Sequence, residues 1–457
     1  MKTNIKLLGM CALLTVSASA IAQNTNSGYF LDGYTYRYQL NPAYGNDMNF
    51  VSVPGIGNIN VAMRGNLHLT DVLHSVDGKT VLFTNPGVPN SALSDFYNIS
   101  KLGTDLKINI LSGGFKAWGG YNTVSINARA EAHLGVPKAV FELAKEGVSN
   151  QSYYLGGLNG NARAFAELAF NHSHDIKSVP GLRIGGAVKF LVGLANIEAN
   201  TRIADLTLGT DSWTATTDAT VNANLGKFQF KTKANDMGQN YVSGADMDGD
   251  GSIGPNGFGM TFDLGLNYKW KDFNFSFALL DLGWISYFDT KQASTNGVRT
   301  FDTDAFIFNA NENADNSFKH EWEKMKDGLE DLYQLTDNGI VGTRTIKSGI
   351  TLNAGVDYAL PVYRKLHFGL LSSSRFIGDF SWTELRVSAN INPVKWFGAS
   401  ANYAVNNYGS AFGWLLNFNP RGFNLFIGMD HTMFKMAKQG VPLNSNVSCN
   451  FGINIPF

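Results

Sequence analysis

From Val447 to Phe457 the odd positions carry Val447, Cys449, Phe451, Ile453, Ile455 and Phe457, and the even ones Ser448, Asn450, Gly452, Asn454 and Pro456. A period of two gives a β-strand one apolar and one polar face. The pattern recurs with Val124, Ile126, Ala128, Ala130, Ala132 and Leu134, and with Phe262, Leu264, Leu266, Tyr268 and Trp270. It returns in Leu352 to Tyr358, Leu385 to Ile391 and Phe397 to Tyr403. Such runs reach about ten residues, the length that crosses a bilayer as a tilted strand, whereas strands of soluble sandwiches usually have about five or six. In lipid every backbone N–H and C=O needs a partner, and closing the sheet supplies one. The pattern predicts an all-β fold: a transmembrane antiparallel β-barrel of about 14 strands, within about 12 to 16. A secreted two-sheet sandwich is the alternative.

Three stretches leave this pattern. Residues 26–45 carry Tyr29, Phe30, Tyr34, Tyr36, Tyr38 and Tyr44 ahead of the first clear strand; they form either an aromatic arm inside the barrel or an ordinary first strand. Pro137 to Glu146, with Gly147 behind it, has the start and stop residues of a helix. Phe318, Trp322, Met325, Leu329 and Leu332 recur at helical spacing within a long interruption between strands ending near Phe288 and beginning near Thr345. That second amphipathic helix rests on a barrel rim, a membrane surface or a partner.

At the start, Lys2 and Lys6 precede apolar Leu7 to Val16 and then Ala20-Ile21-Ala22, the order of a secretory signal cut after Ala22. The expected organisation is a signal over residues 1–22, an arm over 23–48 that enters the lumen or not, and a barrel over 49–457 with a helical insertion near 310–340. Beyond the signal only Cys449 remains, so no intramolecular disulfide is expected. Charged residues make up 16% of the chain and the net charge is -1, which gives no electrostatic reason to expect nucleic acid. The strand ending on Phe457 looks like the C-terminal signature of bacterial outer-membrane barrels; with the export signal it points to a Gram-negative outer membrane, where lipid is the first partner.

Candidate chemistry is sparse. Asp246, Asp248 and Asp250, followed by Gly251, match the first half of a calcium loop, but Gly257 stands where a bidentate Glu is expected. Calcium is therefore a candidate ligand, not a required cofactor; a solvated acidic turn is the alternative. His172 and His174 flank Ser173 before Pro180-Gly181 without a clear third ligand, which reads as a polar turn. His320-Glu321 opens like a zinc-protease helix, but Lys324 occupies the place of the second His. No nucleophile elbow, phosphate loop or dinucleotide fingerprint is found, so no enzyme activity is expected. Arg129 with Glu131, Arg163 with Glu167, and Glu384 with Arg386 lie on polar strand faces and should pair inside a narrow or plugged lumen.

The stretches FLDGYTYRYQLNPAYG, FVSVPGIGNINV, DMDGDGSIGPNGFGMTFDLGLNYKW and FALLDLGWISYF together resemble a family of Bacteroidota outer-membrane barrels known as a domain of unknown function. The resemblance spans the chain beyond the signal and implies a barrel without an activity. More remotely, the layout is similar to the long-chain fatty-acid transporter family, none of whose hydrophobe-binding residues can be matched here. The expected function is passive transport of a small solute, with a hydrophobic one among the candidates. The alternative is a membrane anchor or assembly component that binds a protein partner through its long loops.

Overall fold

Fourteen strands, each antiparallel to its neighbours, close into a barrel. The computed structural model describes residues 25–146, 151–208, 213–234, 240–247, 254–303, 334–432 and 445–457. In chain order the staves are β1 (Phe50–Ser52 and Ile59–Gly65), β2 (Ile99–Ala117), β3 (Gly120–Pro137), β4 (Asn159–Asp175) and β5 (Leu182–Leu208). There follow β6 (Gly257–Trp270), β7 (Phe273–Tyr287), β8 (Arg344–Lys347 and Ile350–Ala359), β9 (Leu366–Phe376) and β10 (Trp382–Val394). The wall ends with β11 (Phe397–Asn406), β12 (Gly409–Phe418), β13 (Asn424–Met429) and β14 (Val447–Pro456). Closure comes from the first and last staves, where Ile59 faces Phe451 and Met63 faces Val447. No sheet edge is left at this seam, which is the condition for a strand to survive in hydrocarbon.

The two faces follow the sequence alternation. Phe262, Leu264, Phe275, Phe277, Leu385 and Val387 point outward and are exposed, while Thr261, Asp263, Ser276, Glu384 and Arg386 are buried inside. So continuous an apolar surface would aggregate in water but is the expected outer band of a membrane barrel. One end has short turns, and exposed Trp118, Trp270, Tyr363, Trp396, Phe423 and Phe457 ring it. Short turns mark the periplasmic end of outer-membrane barrels, and an aromatic girdle lies at each membrane interface.

Long connections leave the other end. Residues 66–98 and helix α1 (Lys138–Glu146) share a small core in which the Phe96 and Phe141 rings stack at 4.0 Å. The outer half of β5 continues past the barrel and pairs with Trp213–Leu225, which in turn pairs with Lys291–Ser294. A hairpin, Phe228–Ala234 with Asn240–Met247, covers this extension through Phe228, Phe230 and Val242. The helix expected over 137–146 is present as Lys138–Glu146; the one expected around Phe318 to Leu332 lies outside the described residues.

Candidate functional site in the barrel lumen

Residues 25–48 run inside the barrel. The rings of Tyr29, Phe30, Tyr34, Tyr36, Tyr38 and Tyr44 are buried and form one cluster with Phe50 and with Phe426 of β13. Tyr34 meets Phe426 edge-on at 5.1 Å between ring centres. Buried phenols usually find a partner. Tyr29 donates to Ser276 (3.1 Å), Tyr34 to Asn450 (3.2 Å) and Tyr36 to Asn454 (2.8 Å). The wall reaches back: Asn353 donates to the Leu40 carbonyl (2.9 Å), Asn417 to Gly33 (2.9 Å) and Arg183 to Ala43 (2.8 Å). Inward-facing asparagines suit this task, because each carries both donor and acceptor. Burial pushes the phenols of Tyr29, Tyr34 and Tyr36 up, and that of Tyr38 up to about 12, so all stay neutral at physiological pH.

Glycine lets the arm approach the wall. A Cβ at Gly185 of β5 would stand 2.1 Å from the Pro42 carbonyl oxygen, and one at Gly369 of β9 would stand 2.2 Å from the Phe30 ring.

Beside the arm, mid-barrel, lies a buried ionic network. Arg129 pairs with Glu167 (2.8 Å), Asp281 (3.2 Å) and Glu131 (3.3 Å). Lys189 bridges Asp263 and Asp281, each at 2.6 Å. Arg163 and Arg375 close on Glu131 at 2.5 and 2.8 Å, and Lys107 lies 3.7 Å from Glu167. The expected partnership of Arg163 with Glu167 is thus corrected: Glu131 stands directly opposite Arg163 in the β3–β4 register, and Glu167 goes to Arg129. Charges buried this deeply persist only when paired. Arg129 with Glu131, and Glu384 with Arg386 (2.7 Å), pair as expected.

Asp281 owes its position to a bulge. The outward positions of β7 are odd through Leu279 and even from Leu282, so Leu280 and Asp281 both turn inward, with Asp281 at φ 60°. A non-glycine residue at positive φ inside a strand is costly and needs support. Its own N–H donates to Asp263 at 2.8 Å.

Arm and network leave little free space between them. A cavity of about 30 Å³, lined by Asn26 and Gln39 of the arm and by Lys107, Arg129, Lys189 and Arg375 of the wall, has room for about one or two waters. Toward the long loops an apolar collar follows, built from Phe165, Leu191, Ile285, Tyr287 and Ile346. There too Phe380 stacks on His133 at 4.9 Å, and Asp379 beside it is held by Lys101 and Asn159. At the short-turn end a cavity of about 660 Å³ opens below the arm, lined by Tyr44, Asp47, Lys116, Tyr121 and Arg183.

Of the sequence candidates, Asp246 sits on the exposed hairpin and pairs with Lys231 at 2.8 Å; Asp248 and Asp250 lie outside the described residues. His172 and His174 end strand β4 rather than forming a turn; their imidazoles are 3.1 Å apart, and His172 also bonds Asn122 at 2.8 Å. Sequence reasoning missed Lys107, Lys189, Asp263 and Arg375, whose only signal is a charge on the polar face of an alternating strand, and Asp281, whose signal is the slip of the apolar phase between Leu279 and Leu282.

Residues 42–430, which take in the last residues of the arm and staves β1 to β13, match the model of a family of unknown function, DUF5723. The chain belongs to that family. No curated protein matches this DUF5723 chain. Among solved structures, the P. putida toluene transporter TodX aligns over 95% of this chain and 94% of its own, with 9% identity and a TM-score of 0.37. A Pseudomonas aeruginosa FadL homologue aligns over 95% and 99%, with 9% identity and a TM-score of 0.37. The translocator domain of the autotransporter NalP from Neisseria meningitidis aligns over 91% and 90%, with 8% identity and a TM-score of 0.31. Similarity at this level transfers neither a substrate nor a residue role to the DUF5723 chain.

Proposed function

We propose that this protein is an outer-membrane channel for passive entry of a small solute with apolar surface, closed at rest by its own N-terminal arm. The observation that carries the reading is the seating of residues 25–48. They fill the lumen through side-chain hydrogen bonds and ring contacts with many staves, yet add no strand to the wall. A segment held this way can leave without opening the sheet, whereas a wall strand cannot. The collar of Phe165, Leu191, Ile285, Tyr287 and Ile346 supports an apolar solute, since it offers no unpaired charge on the outer side of the network. No reaction is assigned to the protein, and calcium remains a candidate ligand of the loop begun by Asp246.

Uptake into proteoliposomes tests this. Protein lacking residues 25–44 should pass small aromatic and aliphatic probes faster than the full chain by at least tenfold. Equal, background-level uptake by both would remove the transport reading.

The alternative, a membrane anchor that binds a protein partner, is supported by the cored extension built on the outer half of β5. Replacing residues 304–333 by a short linker should then abolish co-purification of a partner from native membranes while the barrel still folds. An unchanged pull-down would count against it.

A further inference from the structure

The head of the arm is held differently from the rest. The backbone N–H groups of Asn26 and Ser27 donate to the Asp430 carboxylate at 2.8 and 2.6 Å, and the Ser27 hydroxyl donates to it at 2.7 Å. Three bonds to one carboxylate are charge-assisted, and so stronger than the amide and hydroxyl bonds that seat Tyr34 and Tyr36. Arg386 lies 3.7 Å from the Asp430 carboxylate and donates to the Asp430 carbonyl at 3.3 Å.

Asp430 is also the first residue beyond β13, where the chain turns out of the barrel on the long-loop side. Its N–H and that of His431 both donate to the Ser448 hydroxyl of β14, at 2.6 and 3.1 Å. The Ser448 hydroxyl thus holds the root of an outer connection, together with Glu384 on the His431 imidazole (2.8 Å) and the Phe412 carbonyl on the Thr432 N–H (2.9 Å), and the carboxylate on that root anchors the arm. Moving the root by an ångström or so breaks both sets, because hydrogen bonds weaken steeply with distance and angle.

We propose that Asp430 is the latch of the arm: displacement of the Asp430–His431 root, by whatever engages the outer face, releases Asn26 and Ser27 and starts the opening of the lumen. This rests on the channel reading, and the test separates the two. Full-length parent, Asp430→Asn, Ser27→Ala and Ser448→Ala are reconstituted in nanodiscs and followed by hydrogen exchange, and in planar bilayers by conductance. Asp430→Asn and Ser27→Ala act on the arm directly. Ser448→Ala loosens the root without touching the arm, and it keeps the test alive should Asp430→Asn fail to fold.

Exchange across residues 25–31 should rise at least tenfold in Asp430→Asn and Ser448→Ala, while residues 39–41, seated on β6 and β8 through Leu266 and Asn353, exchange as in the parent. Parent-like protection of 25–31 in both variants overturns the latch. A rise in Asp430→Asn alone overturns its coupling to the loop root. Raised exchange without any conductance upholds the latch and removes the channel.

Discussion

Phe30 of the arm lies against the β9 backbone at Gly369, so close that a Cβ added there would stand 2.2 Å from its ring. Gly369→Val should therefore eject this part of the arm while leaving the wall intact, since valine suits a strand. The expected destabilisation is about 1–3 kcal/mol, the usual range for overpacking. Trypsin cleavage at Arg37, in a segment now buried, is the readout; parent-like resistance would show that the arm does not press on this wall position.

Glu131 accepts Arg129, Arg163 and Arg375 at once. Glu131→Gln should cost about 3–5 kcal/mol, because removing one partner from a buried network leaves charge uncompensated. The double variant Glu131→Gln/Arg163→Met should lose clearly less than the sum of the two single variants. Additive losses in denaturant unfolding would mean that the pair is not coupled.

The arm's phenols give an alkaline signature. Tyr38 is pushed up to about 12 by burial, against about 10 in an unfolded chain. A folded value above the unfolded one stabilises the docked arm fully below about pH 10, and that contribution fades as pH rises toward about 12. Tyrosinate absorbance should show a late class of tyrosines whose ionisation coincides with release of the arm. Replacing Tyr38 by Phe should remove one tyrosine from that late class, and no change in it would sink the assignment.

For the acidic loop, calcium should raise the melting temperature of the parent protein, and Asp248→Ala with Asp250→Ala should abolish the rise. A parent that melts identically with and without calcium ends the idea.

The barrel was legible because alternation is a property of each strand alone: the outward row of Phe262 to Trp270 can be read without knowing its neighbours. Pairing across strands was not. Arg163 looked like a partner for Glu167 on its own strand, but register sets it opposite Glu131 on the next. The Asp281 bulge did leave a trace, since the apolar phase slips between Leu279 and Leu282. Reading that slip would have placed Asp281 in the lumen. The arm's aromatic content marked it as something to be buried, yet its destination depends on asparagines such as Asn353, Asn417 and Asn454, scattered over a hundred residues of wall. Asp430 carries no local motif at all. Its part follows only from the meeting of the two ends of the chain.

Single-channel recording in planar bilayers of the full chain beside a form lacking residues 25–44 tests the central claim most directly. A lumen stoppered by its own arm predicts a silent full-length protein with rare brief openings and a truncated form with long-lived conducting states. Indistinguishable traces from the two, both silent or both open, would contradict it.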